Sequence, residues 1–291
     1  MIHRLVFHND RLLPVDDVRL SPGQSGLLSG WGLFTTMRIV EGVAFAFERH
    51  WNRLARDAER TRCPFPFDQE TVRGHLTHVL HANQVREGCA RIYVIANRIG
   101  FWRSDEPFPA ADLVITSSDL PSYRDPLRLA LREQGRHAAS PLAGVKVTSW
   151  LPNVWSLGEA QREGYDEVVL LNERGEVAEC TAANVFCVRG GHVFTPPLSS
   201  GCLAGITREV VMEIGPGAGV PIEERSLFPN DLYNADEVFI SSTNRSMLNV
   251  CEIAATKILI PRDPIARRLE KIFNQFVREY VSLHSAPVAG R

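Results

Sequence analysis

The chain has 291 residues, enough for one large or two medium domains, and its 44% hydrophobic residues can bury a sizeable core. The 32 Lys+Arg against 34 Asp+Glu leave a formal net charge of −2 with no long run of either sign, which excludes nucleic acid and anionic membrane as the implied partners. No apolar run approaches the ~20 residues of a membrane span, and residues 1–10 lack an extended apolar stretch, so a soluble, cytoplasmic protein is expected. The six cysteines (63, 89, 180, 187, 202, 251) form no C-x-x-C pair and read as reduced thiols.

Residues 1–20 alternate apolar and polar, and Val6-Phe7 with residues 11–15 predict an opening strand and hairpin. Residues 21–32 are rich in Gly and Ser and predict a loop. Residues 33–40 predict a strand, and Glu41-Gly42 turns into residues 43–47. Residues 48–60 have helical spacing, with Trp51, Leu54, Ala55 and Ala58 on one face and Arg49, Arg53 and Arg56 beside it. A second helix is predicted over 68–83, then strands over 91–96 and 111–117 on either side of an aromatic loop. Pro121 and Pro126 mark the best linker. The expected division is a small N-terminal domain at 1–118, a linker at 119–126 and a C-terminal domain at 127–291. The second domain predicts a strand at 127–131 and a helix at 154–163 stopped by Gly164. Strands at 167–172 and 176–179 follow, then a hairpin of 185–188 with 192–195 across Arg189-Gly190-Gly191. A helix at 207–214, a strand at 237–241 and a closing helix at 264–281 complete an α/β (α+β) fold class.

Only three lysines occur, at 146, 257 and 271. Arginine serves for fixed charge, whereas lysine can lose its proton and form a Schiff base. Lys146 follows the apolar run 142–145, where desolvation would lower its pKa; the alternative is a solvated loop lysine. Residues 203–208 open a helix with Gly205, Ile206 and Thr207, and backbone N–H groups with a nearby hydroxyl suit a phosphate. Ser241, Ser242, Thr243 and Asn244 follow a strand and offer more donors. Each of these alone also reads as an N-cap or a turn. Arg53 could supply charge to a phosphate. Glu179 ends a strand among small residues, as an edge charge or as the partner of a buried cationic nitrogen. His75, His78 and His81 sit at helical spacing without an adjoining carboxylate cluster and read as a helix face, with no metal expected.

Together these residues resemble the class IV aminotransferases, the fold-type IV pyridoxal-phosphate enzymes. That family includes branched-chain aminotransferases, D-amino acid aminotransferases and 4-amino-4-deoxychorismate lyase. The similarity runs from the strand at Leu33 to about Val250. Its most specific parts are Ala143-Gly144-Val145-Lys146, residues 178–186, residues 203–208, and Ala235-Asp236-Glu237-Val238-Phe239 leading into residues 241–243. The resemblance implies a small N-terminal α/β domain and a larger C-terminal domain with a barrel-like sheet flanked by helices. It implies pyridoxal 5′-phosphate as cofactor, held by Lys146 as a Schiff base, with Glu179 at the pyridine nitrogen and Leu203 against the ring. Arg53, Gly205, Ile206, Thr207, Ser242 and Thr243 would form the phosphate cup. Phe34, Thr36, Arg38, Arg103 and Trp150 would line the substrate pocket, in a site between two domains near a homodimer interface. The implied activity is transfer of an amino group between a small amino acid and a 2-oxo acid. Phe34-Thr35-Thr36 leans toward the alternative, 4-amino-4-deoxychorismate lyase, which eliminates pyruvate from aminodeoxychorismate. Val147-Thr148-Ser149-Trp150 departs from the family's usual run after the lysine, and residues 251–261 replace its usual Gly-rich hairpin.

Overall fold

The computed structural model describes residues 1–21, 23–97 and 110–285. In chain order the elements are β1 (Leu5–His8), β2 (Arg11–Pro14), α1 (Ser25–Ser29), β3 (Gly32–Val40), β4 (Val43–Ala44), α2 (Phe47–Thr61), α3 (Gln69–Ala82), β5 (Gly88–Ala96), β6 (Ala111–Ser118) and β7 (Leu127–Arg132). Then come α4 (Leu151–Arg162), β8 (Glu167–Leu171), β9 (Val177–Cys180), β10 (Asn184–Arg189), β11 (His192–Thr195), α5 (Ile206–Ile214) and β12 (Ile222–Glu224). The chain closes with α6 (Pro229–Tyr233), β13 (Glu237–Ser242), β14 (Ser246–Ile253), β15 (Thr256–Lys257) and α7 (Ile265–His284).

Two compact units emerge. The first comprises Met1–Pro121, Lys146–Ser149 and Val277–Arg291; the second comprises Ser122–Val145 and Trp150–Phe276. The short segment around Lys146 therefore packs with the first unit, although the linear division expected above places it in the C-terminal domain.

The first unit is built on an antiparallel sheet of order β2-β1-β6-β5-β3-β4. Side chains alternate across a strand, so one register face carries Leu33, Thr35, Met37 and Ile39 of β3 beside Val94, Ile92 and Ala90 of β5. That face is buried with Leu54 of α2 and Leu76 of α3. Each such apolar side chain contributes about 1.5–3 kcal/mol, so this face is the core. The opposite face carries Phe34, Thr36 and Arg38 beside Tyr93, Arg91 and Cys89. Local rules fix the helix ends: the Asp68 side chain accepts from the Thr71 N–H to start α3, and Arg62 in the left-handed region stops α2. His75, on α3, stacks on Phe7 with centroids 3.9 Å apart.

The second unit holds a mixed sheet of order β12-β11-β10-β13-β14-β7-β8-β9, with β15 on β14. Strand β9 is an edge, and β10 lies near the other end of that order. Yet a loop of residues 181–183 joins them, closed by the Cys180 N–H on the Ala183 carbonyl. A sheet can satisfy both conditions only by curling, and this one forms a half-barrel around Leu129, Val169, Val185, Ile240 and Val250.

The structure corrects several expectations. The Gly/Ser-rich stretch 21–32 contains helix α1, ended by Gly30 in the left-handed region. Helix α4 begins at Leu151 rather than 154, because Pro152 suits a first turn. Residues 246–253 form β14, a strand the sequence reading lacked. It turns back through Ala254 and Ala255, both at positive φ, so a hairpin persists without glycine. All six thiols are free, and burial pushes Cys63 and Cys202 up to about 11 and Cys187 up to about 12.

Candidate active site

In the first unit, Lys146 is fixed at both ends of its main chain. Its carbonyl accepts from the Phe34 N–H at 3.1 Å, and its own N–H donates to Asp57 Oδ2 at 3.1 Å. Val147 bridges Leu33, and the Thr148 N–H donates to the Gly32 carbonyl, so residues 146–148 extend the edge of β3. The Lys146 ammonium nitrogen lies 4.4 Å from the centroid of the Phe34 ring. Phe34 in turn stacks on Tyr93, with centroids 5.7 Å apart. Burial pushes the Tyr93 hydroxyl pKa up, and the charge of Arg91 opposes this. Thr36, Arg91 and Arg38 continue along the same face, and Arg38 Nε is buried without a hydrogen-bond partner among the described residues.

Arg53 lies on α2 and is 5% exposed. Its Nη2 donates to Thr35 Oγ1 at 3.1 Å, and that oxygen lies 2.7 Å from His50 Nδ1. The Thr35 hydroxyl has one proton and two lone pairs, so it can accept from Arg53 and still share a hydrogen bond with Nδ1 whose direction the His50 tautomer sets. Burial, then the charges of Arg53 and Lys146, hold His50 well below the usual histidine range, so His50 is neutral.

In the second unit, Glu179 sits near the end of β9, paired with Leu170 beside a register shift in the β8–β9 ladder, and it is 8% exposed. Oε1 accepts from Arg136 Nε at 2.8 Å, and Oε2 accepts from the Leu203 N–H at 3.1 Å. Arg136 Nη1 also donates to Asn153 Oδ1, and Asn153 Nδ2 donates to the Thr181 carbonyl. Asn153 is carried on the first turn of α4, just after Trp150 at its N-cap. Gly144 (φ +71°) passes so close to this region that a Cβ would meet the Cys202 carbonyl oxygen at 2.8 Å.

Asn184 links Leu203 to the start of α5: its Nδ2 donates to the Leu203 carbonyl at 2.9 Å. A Cβ on Gly205 would overlap Asn184 Oδ1, so only glycine allows this approach. Gly205 is the N-cap of α5 and offers no side-chain cap, leaving the first-turn N–H groups of Ile206 and Thr207 for another acceptor. Asn184 pairs in register with Ser241, whose hydroxyl is buried without a partner among the described residues. Ser242 ends β13 and Thr243 follows in its turn. These groups fit an anionic ester: an uncapped helix start, a glycine cradle and an orphaned buried hydroxyl.

The structure thus groups Lys146 with Phe34, and Glu179 with Leu203 and the start of α5, each within its own unit. Arg103 lies outside the described residues. Sequence reading gave no role to Asp57, His50, Arg136, Asn153 and Asn184, which support the named side chains, Asp57 and Arg136 from distant points in the chain.

The chain is similar to known proteins over nearly its whole length. The family described as Amino-transferase class IV matches residues 32–253. A D-alanine aminotransferase from Listeria innocua is 28% identical, over 95% of this chain and 96% of its own. The branched-chain aminotransferase of Thermoproteus uzoniensis, solved with norvaline, superposes with a TM-score of 0.87 at 27% identity, over 96% of this chain and 98% of its own. A T.th. branched-chain aminotransferase, solved with pyridoxamine 5′-phosphate, gives 0.87 at 25% identity, over 96% and 97%. With a match that begins at β3 and ends at β14, the chain belongs to the class IV aminotransferases.

Proposed function

We propose that the protein is a pyridoxal-phosphate aminotransferase that moves an amino group between a small amino acid and a 2-oxo acid, with Lys146 as its working amine. The observation that carries this reading is Lys146 itself, clamped at amide and carbonyl and laid over the Phe34 ring. When bound, the cofactor supplies an aldehyde that takes up the substrate amine and a ring that withdraws electrons from its α-carbon. Lys146 Nζ is the amine that would hold that aldehyde. Nζ then serves as the base that removes the α-proton and the acid that returns it. Glu179, braced by Arg136, would keep a proton on the ring nitrogen. The N–H groups of Ile206 and Thr207, with Ser242 and Thr243, would hold the phosphate, Arg53 would add its charge to it, and Leu203 would lie against the ring. On the β3 face, Phe34 and Thr36 border the substrate, and the guanidinium groups of Arg38 and Arg91 suit its carboxylate. Trp150 shapes the pocket.

The D-alanine and branched-chain relatives favour transfer over elimination. Phe34-Thr35-Thr36 keeps 4-amino-4-deoxychorismate lyase as the second reading. A homodimer is supported by α4, which exposes Leu151, Val154 and Trp155 on one face. The test is spectroscopic. Purified protein mixed with pyridoxal phosphate should show a visible Schiff-base band that is absent from Lys146→Ala. An amino donor alone should then convert the cofactor stoichiometrically to its amine form. Protein that is colourless once unbound cofactor is removed sinks the cofactor reading, and steady turnover of aminodeoxychorismate to pyruvate without an amino acceptor would favour the lyase.

A further inference from the structure

Asp57 is 1% exposed and lies on α2, one turn beyond Arg53. Residues at i and i+4 share a helix face, so one face of α2 presents both the arginine and this carboxylate. Asp57 Oδ2 accepts the Lys146 N–H, a contact spanning 89 residues of chain, while Oδ1 is buried without a hydrogen-bond partner among the described residues. A buried carboxylate is costly to keep. Burial pushes its pKa up, and the Lys146 amide and the charges of Arg53, Arg56 and Arg60 oppose this. An aspartate retained there with one oxygen unused is poorly explained by the folding of α2, whose own hydrogen bonds do not need it. What the carboxylate does accomplish is specific: it fixes the main chain of the one residue whose amine the chemistry uses.

We propose that Asp57 is the positioning residue for Lys146, setting where the amine stands relative to the helix that carries Arg53. The inference rests on the reading of Lys146 as the amine that carries the cofactor. With its carbonyl held by β3 and its amide held by Asp57, Lys146 can swing only its side chain. Without the carboxylate the residue pivots about the Phe34 contact, and the amine is no longer pre-placed. The cost falls on forming the covalent bond to Lys146, while holding the phosphate and ring is unaffected.

The experiment compares two ligands on wild type, Asp57→Asn and Asp57→Ala. Pyridoxal 5′-phosphate bonds to Lys146, and attachment is measured from the visible band and by mass spectrometry after borohydride reduction. Pyridoxamine 5′-phosphate has no aldehyde and reports the rest of the site. Asp57→Ala should weaken covalent attachment about tenfold or more, as expected for losing a hydrogen bond to a charged acceptor. Asp57→Asn keeps a neutral oxygen of the same shape and should lose about three- to fivefold, since a charge-assisted bond is about twice as strong as a neutral one. In both, pyridoxamine 5′-phosphate should bind as in wild type. Equal losses for both ligands would mean a merely structural role and overturn the proposal. Wild-type attachment in Asp57→Asn overturns it also, and that variant decides the matter alone if Asp57→Ala does not fold. Failure of the wild-type protein to bind either ligand would instead refute the cofactor reading.

Discussion

Replacing Arg136 with Met probes the electrostatics of Glu179 most directly. The guanidinium makes a 2.8 Å hydrogen bond to Glu179 and a 2.9 Å bond to Asn153, and the two side chains of the ion pair are only 19% and 10% exposed. Methionine fills much of the volume but supplies no donor. One charge-assisted bond is worth about 1.5–3 kcal/mol net, and a stranded buried charge can cost about 3–5 kcal/mol. Glu179 keeps the Leu203 N–H, which favours the lower range. A loss of about 2–3 kcal/mol corresponds to a melting temperature lower by roughly 4–12 °C for a chain of this size. The same change should weaken pyridoxal-phosphate binding, because Glu179 loses the hydrogen bond that fixes its carboxylate in place. Thermal melting of apo-protein and cofactor titration measure both, and Arg136→Lys should fall between, since lysine has no fork. A melting temperature within about 1 °C of wild type, together with unchanged cofactor affinity, would refute the argument.

Three other expectations follow from separate contacts. Gly205→Ala drives a methyl group into Asn184 and breaks its bond to the Leu203 carbonyl, so affinity for pyridoxal phosphate should fall much more than affinity for pyridoxal, which lacks the phosphate. Hydrogen bonds from Arg128 and Lys257 lower the Glu252 carboxyl from 4.5 to about 2. A depressed carboxyl value stabilises the fold above the unfolded value and is lost as pH falls. The melting gap between wild type and Glu252→Gln should therefore be full near neutral pH and close between pH 4.5 and about 2; a pH-independent gap would contradict it. Trp155→Glu should halve the mass seen by light scattering if α4 forms the dimer face, and an unchanged dimer would exclude that face.

Much of this was readable along the chain because it depends on near neighbours. The periodic runs of α2, α3 and α7 and the β3 strand emerge within a few residues of their predicted positions, since each buries one regular face. Lysine scarcity drew attention to Lys146, and the small-residue run after Glu179 marked the end of β9. The rest required tertiary contact. Asp57 sits among Arg53, Arg56 and Arg60, where it reads as one more surface charge; only its 89-residue contact with Lys146 gives it a role. Arg136 is likewise defined by a glutamate 43 residues away. Tyr93 and Arg91 join Phe34 and Thr36 only through the β3–β5 register, which no local pattern specifies. Strand β14 was missed because its turn uses Ala254 and Ala255 where a glycine would have announced it.

The composition of the first unit has a practical meaning for anyone who wishes to cut the gene. Its sheet edge at residues 32–34 is completed by residues 146–148, and the Phe47 N–H and Glu48 are bound by the hydroxyl of Tyr280. A fragment ending at Pro121 would carry every strand of its own sheet and still expose a raw edge of unpaired amides, which invites strand addition between molecules. The unit reaches its final form only after nearly the whole polypeptide has been made. Synthesis of the intact chain, or co-expression of the missing pieces, is therefore the route to a soluble N-terminal half.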